Sequence, residues 1–180
     1  MDPSSAPARL GLAAGLAGDV PWTGRCYGRR MAALSEGDVV PEFTLKDDRG
    51  DDVTVPSLAA PTGKPIVLFF YPKDDTPGCT IECKEFRDAR DAFADRAHVL
   101  GISPDGMASH VAFREKFDLN FPLLCDEGHM VAERFGVWGP KKSGGVGILR
   151  TTFVIRDGKI ARVFREVKPQ GHAQEVLAVL

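Results

Sequence analysis

Ile66-Val67-Leu68-Phe69-Phe70-Tyr71-Pro72-Lys73-Asp74-Asp75-Thr76-Pro77-Gly78-Cys79-Thr80 is the stretch on which the fold turns. Its first six residues are apolar at every position, the pattern of a strand covered on both faces in the middle of an α/β sheet. Pro72 ends that strand. Beyond it Thr76 and Pro77 read as a helix start, since threonine is a good N-cap and proline is favoured at the first helical position. Cys79 then falls in the first turn, where unpaired backbone N–H groups and the positive end of the helix dipole favour a thiolate over a thiol. That makes Cys79 a candidate nucleophile. On these local features alone, a buried and inert cysteine beside an ordinary cap remains the alternative.

On the C-terminal side, Ile81, Phe86, Ala89, Phe93 and Ala97 recur at spacings of three to five with charges between them, which predicts an amphipathic helix from Pro77 to Arg96. His98 to Ser103 reads as a second buried strand. Helices follow from Ser109 to Phe117 and from His129 to Phe135. Thr151 to Arg156 and Ile160 to Phe164 are strands joined at Asp157-Gly158, a strong hairpin signal, and Gly171 introduces a last helix that ends at Leu180. The segment from Gly139 to Gly147, with Lys141, Lys142 and four glycines, reads as a mobile surface loop. On the N-terminal side, Phe43 to Leu45 and Val53 to Val55 flank an Asp- and Gly-rich turn and predict a small antiparallel hairpin. This order predicts an α/β protein with a thioredoxin-like fold: a central mixed sheet flanked by helices and opened by an N-terminal β-hairpin.

A chain of 180 residues suits one domain with a proper core. We assign that domain to residues 34–180 and treat residues 1–33, rich in Ala, Gly and Pro, as an extension without fixed structure. Its four arginines outnumber its two aspartates, which suits an organelle transit peptide in charge; the other reading is a start placed upstream of a working Met31. A formal net charge of −2 gives no reason to expect nucleic acid or an anionic membrane as a partner, and no apolar run approaches the roughly 20 residues of a membrane span. Four unevenly spaced cysteines, Cys26, Cys79, Cys83 and Cys125, are too few for a disulfide scaffold, so reduced cytoplasmic thiols are expected. His110 and His129 read as helix-surface or capping residues, and Cys125 as a packed one. No His/Cys pair has zinc-ligand spacing, and no metal or cofactor is expected.

Pro72, Thr76 and Cys79 match the Pro-x-x-x-Thr-x-x-Cys motif of peroxiredoxins. The wider run around them resembles the bacterioferritin comigratory protein, or peroxiredoxin Q, branch. Phe121-Pro122-Leu123-Leu124, Gly136-Val137-Trp138-Gly139, Arg150 to Ile155 and Gly171-His172 extend the resemblance, in order, over roughly residues 34–180. The resemblance implies a peroxidase that reduces hydrogen peroxide and organic hydroperoxides through a cysteine sulfenic acid, regenerated by thioredoxin or a similar thiol donor, and often monomeric. It implies Cys79 as the nucleophile, Thr76 and Arg150 as the groups that orient the peroxide, and Pro72 as a shield of the thiolate. A thiolate, a hydroxyl and a permanent cation are the types such chemistry needs. Read without the resemblance, Arg150 is a surface residue at a strand start. Two other functions compete: a thioredoxin-like dithiol oxidoreductase, for which the Cys-x-x-Cys spacing is missing, and a chaperone or interaction module on the same fold.

The resolving cysteine departs from the branch's familiar arrangement. Five residues after Cys79 stands Lys84, and the other common location falls near Arg114. Cys83 is left. At about 100° per residue it lies about 40° around the helix from Cys79, on the same face. One turn separates the two Cα atoms by a distance near the upper range for a disulfide, so modest unwinding would permit the bond. The alternative is a packed Cys83 and an enzyme that works with one cysteine.

Overall fold

The computed structural model describes residues 32–59, 62–142 and 144–180. The expected extension lies outside these apart from its last two residues, as do Cys26 and the alternative start at Met31. The first described elements are the hairpin strands β1 (Phe43–Lys46) and β2 (Asp52–Val55), paired antiparallel with Phe43 opposite Val55, and a short 3₁₀ turn follows at Ser57–Ala59. Next come β3 (Ile66–Phe70), α1 (Pro77–Asp88), α2 (Arg90–Ala94), β4 (His98–Ser103) and α3 (Met107–Phe117). The C-terminal half holds β5 (Leu123–Cys125), α4 (Met130–Arg134), β6 (Trp138–Pro140), β7 (Val146–Ile148), β8 (Thr151–Arg156), β9 (Lys159–Arg165) and α5 (His172–Leu177).

The central sheet runs β5-β4-β3-β8-β9, with β3, β4 and β5 parallel and β8 and β9 antiparallel. This is the mixed sheet of the thioredoxin-like fold. All five β3 residues are buried, as an uninterrupted apolar run at the centre of a covered sheet requires. Alternation sorts them. Ile66, Leu68 and Phe70 join the hairpin and α4 in one core, while Val67 and Phe69, with Tyr71, join Cys79, Cys83 and Phe86 of α1, Phe93 of α2, Phe113 of α3 and Val176 of α5 in the other. Phe69 stacks on Phe86 with ring centroids 4.6 Å apart, which seats α1 directly over β3. The sheet also needs Gly101: a Cβ there would stand 3.0 Å from both Leu123 Cδ2 and Phe69 Cζ.

Three expectations are corrected. The single helix from Pro77 to Arg96 is two, offset at Ala89 (ψ 7°). Phe86 and Phe93 still meet at 5.6 Å, so the hydrophobic period carries no mark of the break. The segment from Gly139 to Gly147 is not a loop throughout, because its arms pair as β6 and β7 with Trp138 opposite Ile148. Asp157 and Gly158 do make the expected hairpin turn, both with positive φ (51° and 71°). His110 is not on the helix surface. It is fully buried, with Nδ1 2.8 Å from Asp74 Oδ2 and Nε2 3.2 Å from the Leu124 carbonyl oxygen.

Arg114 ties α3 to its neighbours. Its Nε and Nη2 pair with the buried Asp48, while Nη1 and Nη2 also reach the carbonyls of Leu119 and Phe121. Asp48 Oδ1 in turn accepts the Leu123 amide at 2.9 Å, so one carboxylate joins the hairpin, α3 and β5. Burial pushes the Asp48 carboxyl up, but the Arg114 and Leu123 contacts outweigh it and hold the group below its ordinary value. Replacing Arg114 with Ala should lower stability by roughly 3 kcal/mol, because a buried carboxylate loses its partner. A urea titration that finds Arg114→Ala as stable as the parent would show that the clamp carries no stability.

Candidate active site

Cys79 lies at the third position of α1, buried at 1% exposure, at the edge of the core that β3 shares with the helix. Thr76 occupies the N-cap position with extended backbone (φ −92°, ψ 150°), and Pro77 follows at the first helical position, as their sequence order predicts. Its side chain does not cap the helix. The hydroxyl donates instead to the Lys73 carbonyl at 3.0 Å, back across the loop, so no side chain closes over the amides of the first turn. Those N–H groups remain directed at the ground in front of Cys79.

Arg150 sits between β7 and β8 and reaches across to α1. Its Nη2 donates to Cys79 Sγ at 3.3 Å, and its Nη1 pairs with Glu82 Oε2. Gly78 lies alongside: a Cβ there would stand 3.4 Å from Arg150 Nη2 and 3.5 Å from Pro169 Cγ, ordinary packing distances. Burial works against the guanidinium charge, but Glu82 and Cys79 more than offset it, so the cation is secured where it meets the sulfur. Pro72, half-buried, stands where the chain leaves β3 and enters the same loop as Thr76. Cys79, Arg150 and Thr76 therefore gather around one helix end, with Pro72 at the start of the connection.

Glu82 was missed by a reading that put the charges of this helix in solvent. It is fully buried. The signal was its place three residues after Cys79, which sets it on the same helix face. Burial pushes its carboxyl up to about 7, although Arg150 draws it down, and Glu85 adds to the rise. Glu82 Oε1 and Glu85 Oε2 are buried with no hydrogen-bond partner among the described residues. Cys83, one turn beyond Cys79, is fully buried in the same core. Burial first, then Glu82, Cys79 and Asp74, push its thiol well above the ordinary range. Cys125, expected to be packed, is half-buried at the end of β5. His129 does stand at a helix start, at the N-cap of α4, where its ring stacks on Trp138 at 4.0 Å. Among the described residues no group of three or more His, Cys, Asp or Glu side chains is arranged to hold a metal ion, and no helix is long and apolar enough to cross a membrane.

Comparison with known proteins gives the chain a family. Residues 37–163 match the AhpC/TSA family. The chain belongs to that family. It is 44% identical over 149 residues to peroxiredoxin Bcp of Bacillus subtilis, covering 80% of this chain and 93% of that one. Peroxidoxin BcpB of Mycobacterium tuberculosis superposes with a TM-score of 0.74 at 38% identity, over 81% of this chain and 96% of that one. The bacterioferritin comigratory protein of Xanthomonas campestris, solved in work on its alkyl peroxide reduction, superposes with a TM-score of 0.70 at 35% identity, over 78% and 96%. The chain is thus a peroxiredoxin of the Bcp and peroxiredoxin Q type, a thiol-dependent peroxidase.

The position of Glu82 generates a pH-dependent prediction for this peroxiredoxin. The folded chain binds the Glu82 proton more tightly than the unfolded chain does. Its contribution to stability is therefore complete below about pH 4.5 and lost as the pH rises through about 7. Urea denaturation across that range should show the parent losing stability relative to Glu82→Gln as pH rises. Two parallel stability curves would refute the assignment.

Proposed function

We propose that Cys79 is the peroxidatic cysteine, that Thr76 and Arg150 position the hydroperoxide, and that Pro72 shields the sulfur from bulk water. What carries this reading is the contact of Arg150 Nη2 with the buried Cys79 Sγ at 3.3 Å, at the start of α1. The Cys79 thiolate attacks the terminal, hydrogen-bearing oxygen of the hydroperoxide. The S–O bond forms as the O–O bond breaks, giving a sulfenic acid and an alkoxide or hydroxide that leaves as alcohol or water after taking up a proton. Arg150 favours negative charge first on sulfur and then on the departing oxygen. Thr76 has turned its proton toward Lys73, so its lone pairs are what it offers to the peroxide O–H. Hydrogen peroxide and organic hydroperoxides both fit this scheme, which asks nothing of the substrate beyond the O–OH group.

The sulfenic acid condenses with the Cys83 thiol once the first turns of α1 unwind, releasing water and forming a Cys79–Cys83 disulfide that thioredoxin or a similar dithiol reduces. Support comes from the shared core that holds both thiols one helical turn apart. The second reading, direct reduction of the sulfenic acid by an external thiol, is favoured by the complete burial of Cys83. We further propose that the chain works as a monomer, since among the described residues the exposed large apolar ones, Val39, Ile81, Met107, Met130 and Val146, lie on separate parts of the fold. A cytoplasmic setting is proposed from the sparse, uneven cysteines.

One equivalent of hydrogen peroxide followed by non-reducing peptide mass spectrometry tests both assignments. Cys79→Ser should have no peroxidase turnover, and full activity would overturn the nucleophile. The parent should yield a Cys79–Cys83 peptide, with slower thioredoxin-linked turnover and faster overoxidation in Cys83→Ser. Equal turnover and no such peptide would establish the one-cysteine route.

A further inference from the structure

Thr76 can offer its lone pairs to a peroxide only while its proton stays on the Lys73 carbonyl, so whatever fixes that carbonyl fixes the catalytic hydroxyl. Lys73 C=O and Asp74 N–H belong to one planar trans peptide, whose two polar groups point in opposite directions. The carbonyl side accepts the Thr76 hydroxyl at 3.0 Å. The amide side donates to Asp105 Oδ2 at 2.8 Å. Asp105 comes from the far end of β4, and its carboxylate is itself braced: Ser103 Oγ donates to the same Oδ2 at 2.8 Å, and the Asp105 amide donates back to Ser103 Oγ at 3.1 Å. Ser103 is fully buried.

The loop needs such a brace. Asp75, between the braced peptide and Thr76, is in the left-handed region (φ 53°), a conformation that side chains rarely hold without support. The Asp74 side chain supplies a second anchor, accepting Tyr71 Oη and Ser109 Oγ at 2.7 Å each and meeting His110 Nδ1 at 2.8 Å. That anchor holds the Asp74 side chain in the α3 side of the core. Among the described residues, Asp105 is the acceptor of the amide on the side of the peptide opposite the carbonyl that meets Thr76.

We infer that Asp105 is a positioning residue for peroxide reduction, acting through the Lys73–Asp74 peptide to hold the Thr76 hydroxyl with its lone pairs toward the substrate. The inference rests on the role given to Thr76 above. Removing the Asp105 acceptor frees the peptide to rotate, the carbonyl leaves Thr76, and the hydroxyl turns its proton toward the site. Asp105→Asn keeps an oxygen able to accept from both the Asp74 amide and Ser103, so it should work almost as well as the parent.

A double-mutant cycle on the rate of Cys79 oxidation by hydrogen peroxide tests this, with melting temperatures measured alongside. Thr76→Val should slow oxidation on the order of 10²-fold, and Asp105→Ala about tenfold or more, through misplacement of one group. In the Thr76→Val background Asp105→Ala should have no further effect; with Thr76 intact, Asp105→Asn should keep nearly the parental rate. Ser103→Ala, which removes the brace together with a hydrogen bond to Tyr71, should give a smaller slowing that also disappears in Thr76→Val, and it serves where Asp105→Ala lowers the folded fraction. Equal slowing by Asp105→Ala or Ser103→Ala in both backgrounds would overturn the inference, as would parental rates in both. A Thr76→Val enzyme as fast as the parent would instead overturn the role of Thr76 itself.

Discussion

A cation held against a buried sulfur is the constraint on which this structure depends. Cys79 is almost wholly out of water, where a bare thiolate would be costly, and the role proposed for Arg150, whose Nη2 stands 3.3 Å from the sulfur, is to supply the compensating charge. The arginine cannot be left to itself either. Its other nitrogen pairs with Glu82, one turn along the same helix, so sulfur, guanidinium and carboxyl form a chain across the joint between α1 and the β7–β8 connection. The guanidinium meets both neighbours, while Glu82 Oε1 stays without a hydrogen-bond partner among the described residues.

The fold exists around that joint. β3 ends where the site begins, and its even and odd side chains are each absorbed by a separate core, which fixes the height of α1 over the sheet. β8 lies beside β3 with Phe70 opposite Thr151, so the residue just before Thr151, Arg150, is delivered to the same end of the sheet as the start of α1. At the far side of α1, Glu85 Oε1 accepts the Gly171 amide at 2.7 Å, and the ring of the buried His172 meets Phe86 edge-on. The C-terminal helix thereby presses α1 onto the sheet. Arg114, near the place that the resemblance gives to a second cysteine, is tied to Asp48, Leu119 and Phe121. That part of α3 is built as a clamp.

Much of this was legible in the sequence because it depends on local pattern. The unbroken apolar run from Ile66 marked the central strand, Thr76-Pro77 marked the helix start, and Asp157-Gly158 marked the turn between β8 and β9. What was not legible depends on contacts between distant segments. Glu82 and His110 look like solvent-facing residues of amphipathic helices, and only the partners Arg150, Asp74 and Leu124, each from another element, make their burial possible. The pairing of β6 with β7 was hidden because glycines and lysines read as a loop. Arg150 is the intermediate case: its residue type suits the chemistry, but its approach to Cys79 follows from strand order, which no local pattern contains. The capping reading of Thr76 was right in position and wrong in the use of the hydroxyl, which goes to Lys73.

The central claim is that the Arg150 charge makes Cys79 a fast nucleophile toward peroxide. The most direct measurement is the single-turnover rate of Cys79 oxidation by hydrogen peroxide, followed by rapid-quench mass spectrometry over about pH 5–9, in the parent and in Arg150→Ala. The account predicts a fall of about 10²-fold or more near neutral pH in a variant that remains folded. Equal rates across the whole range would contradict it.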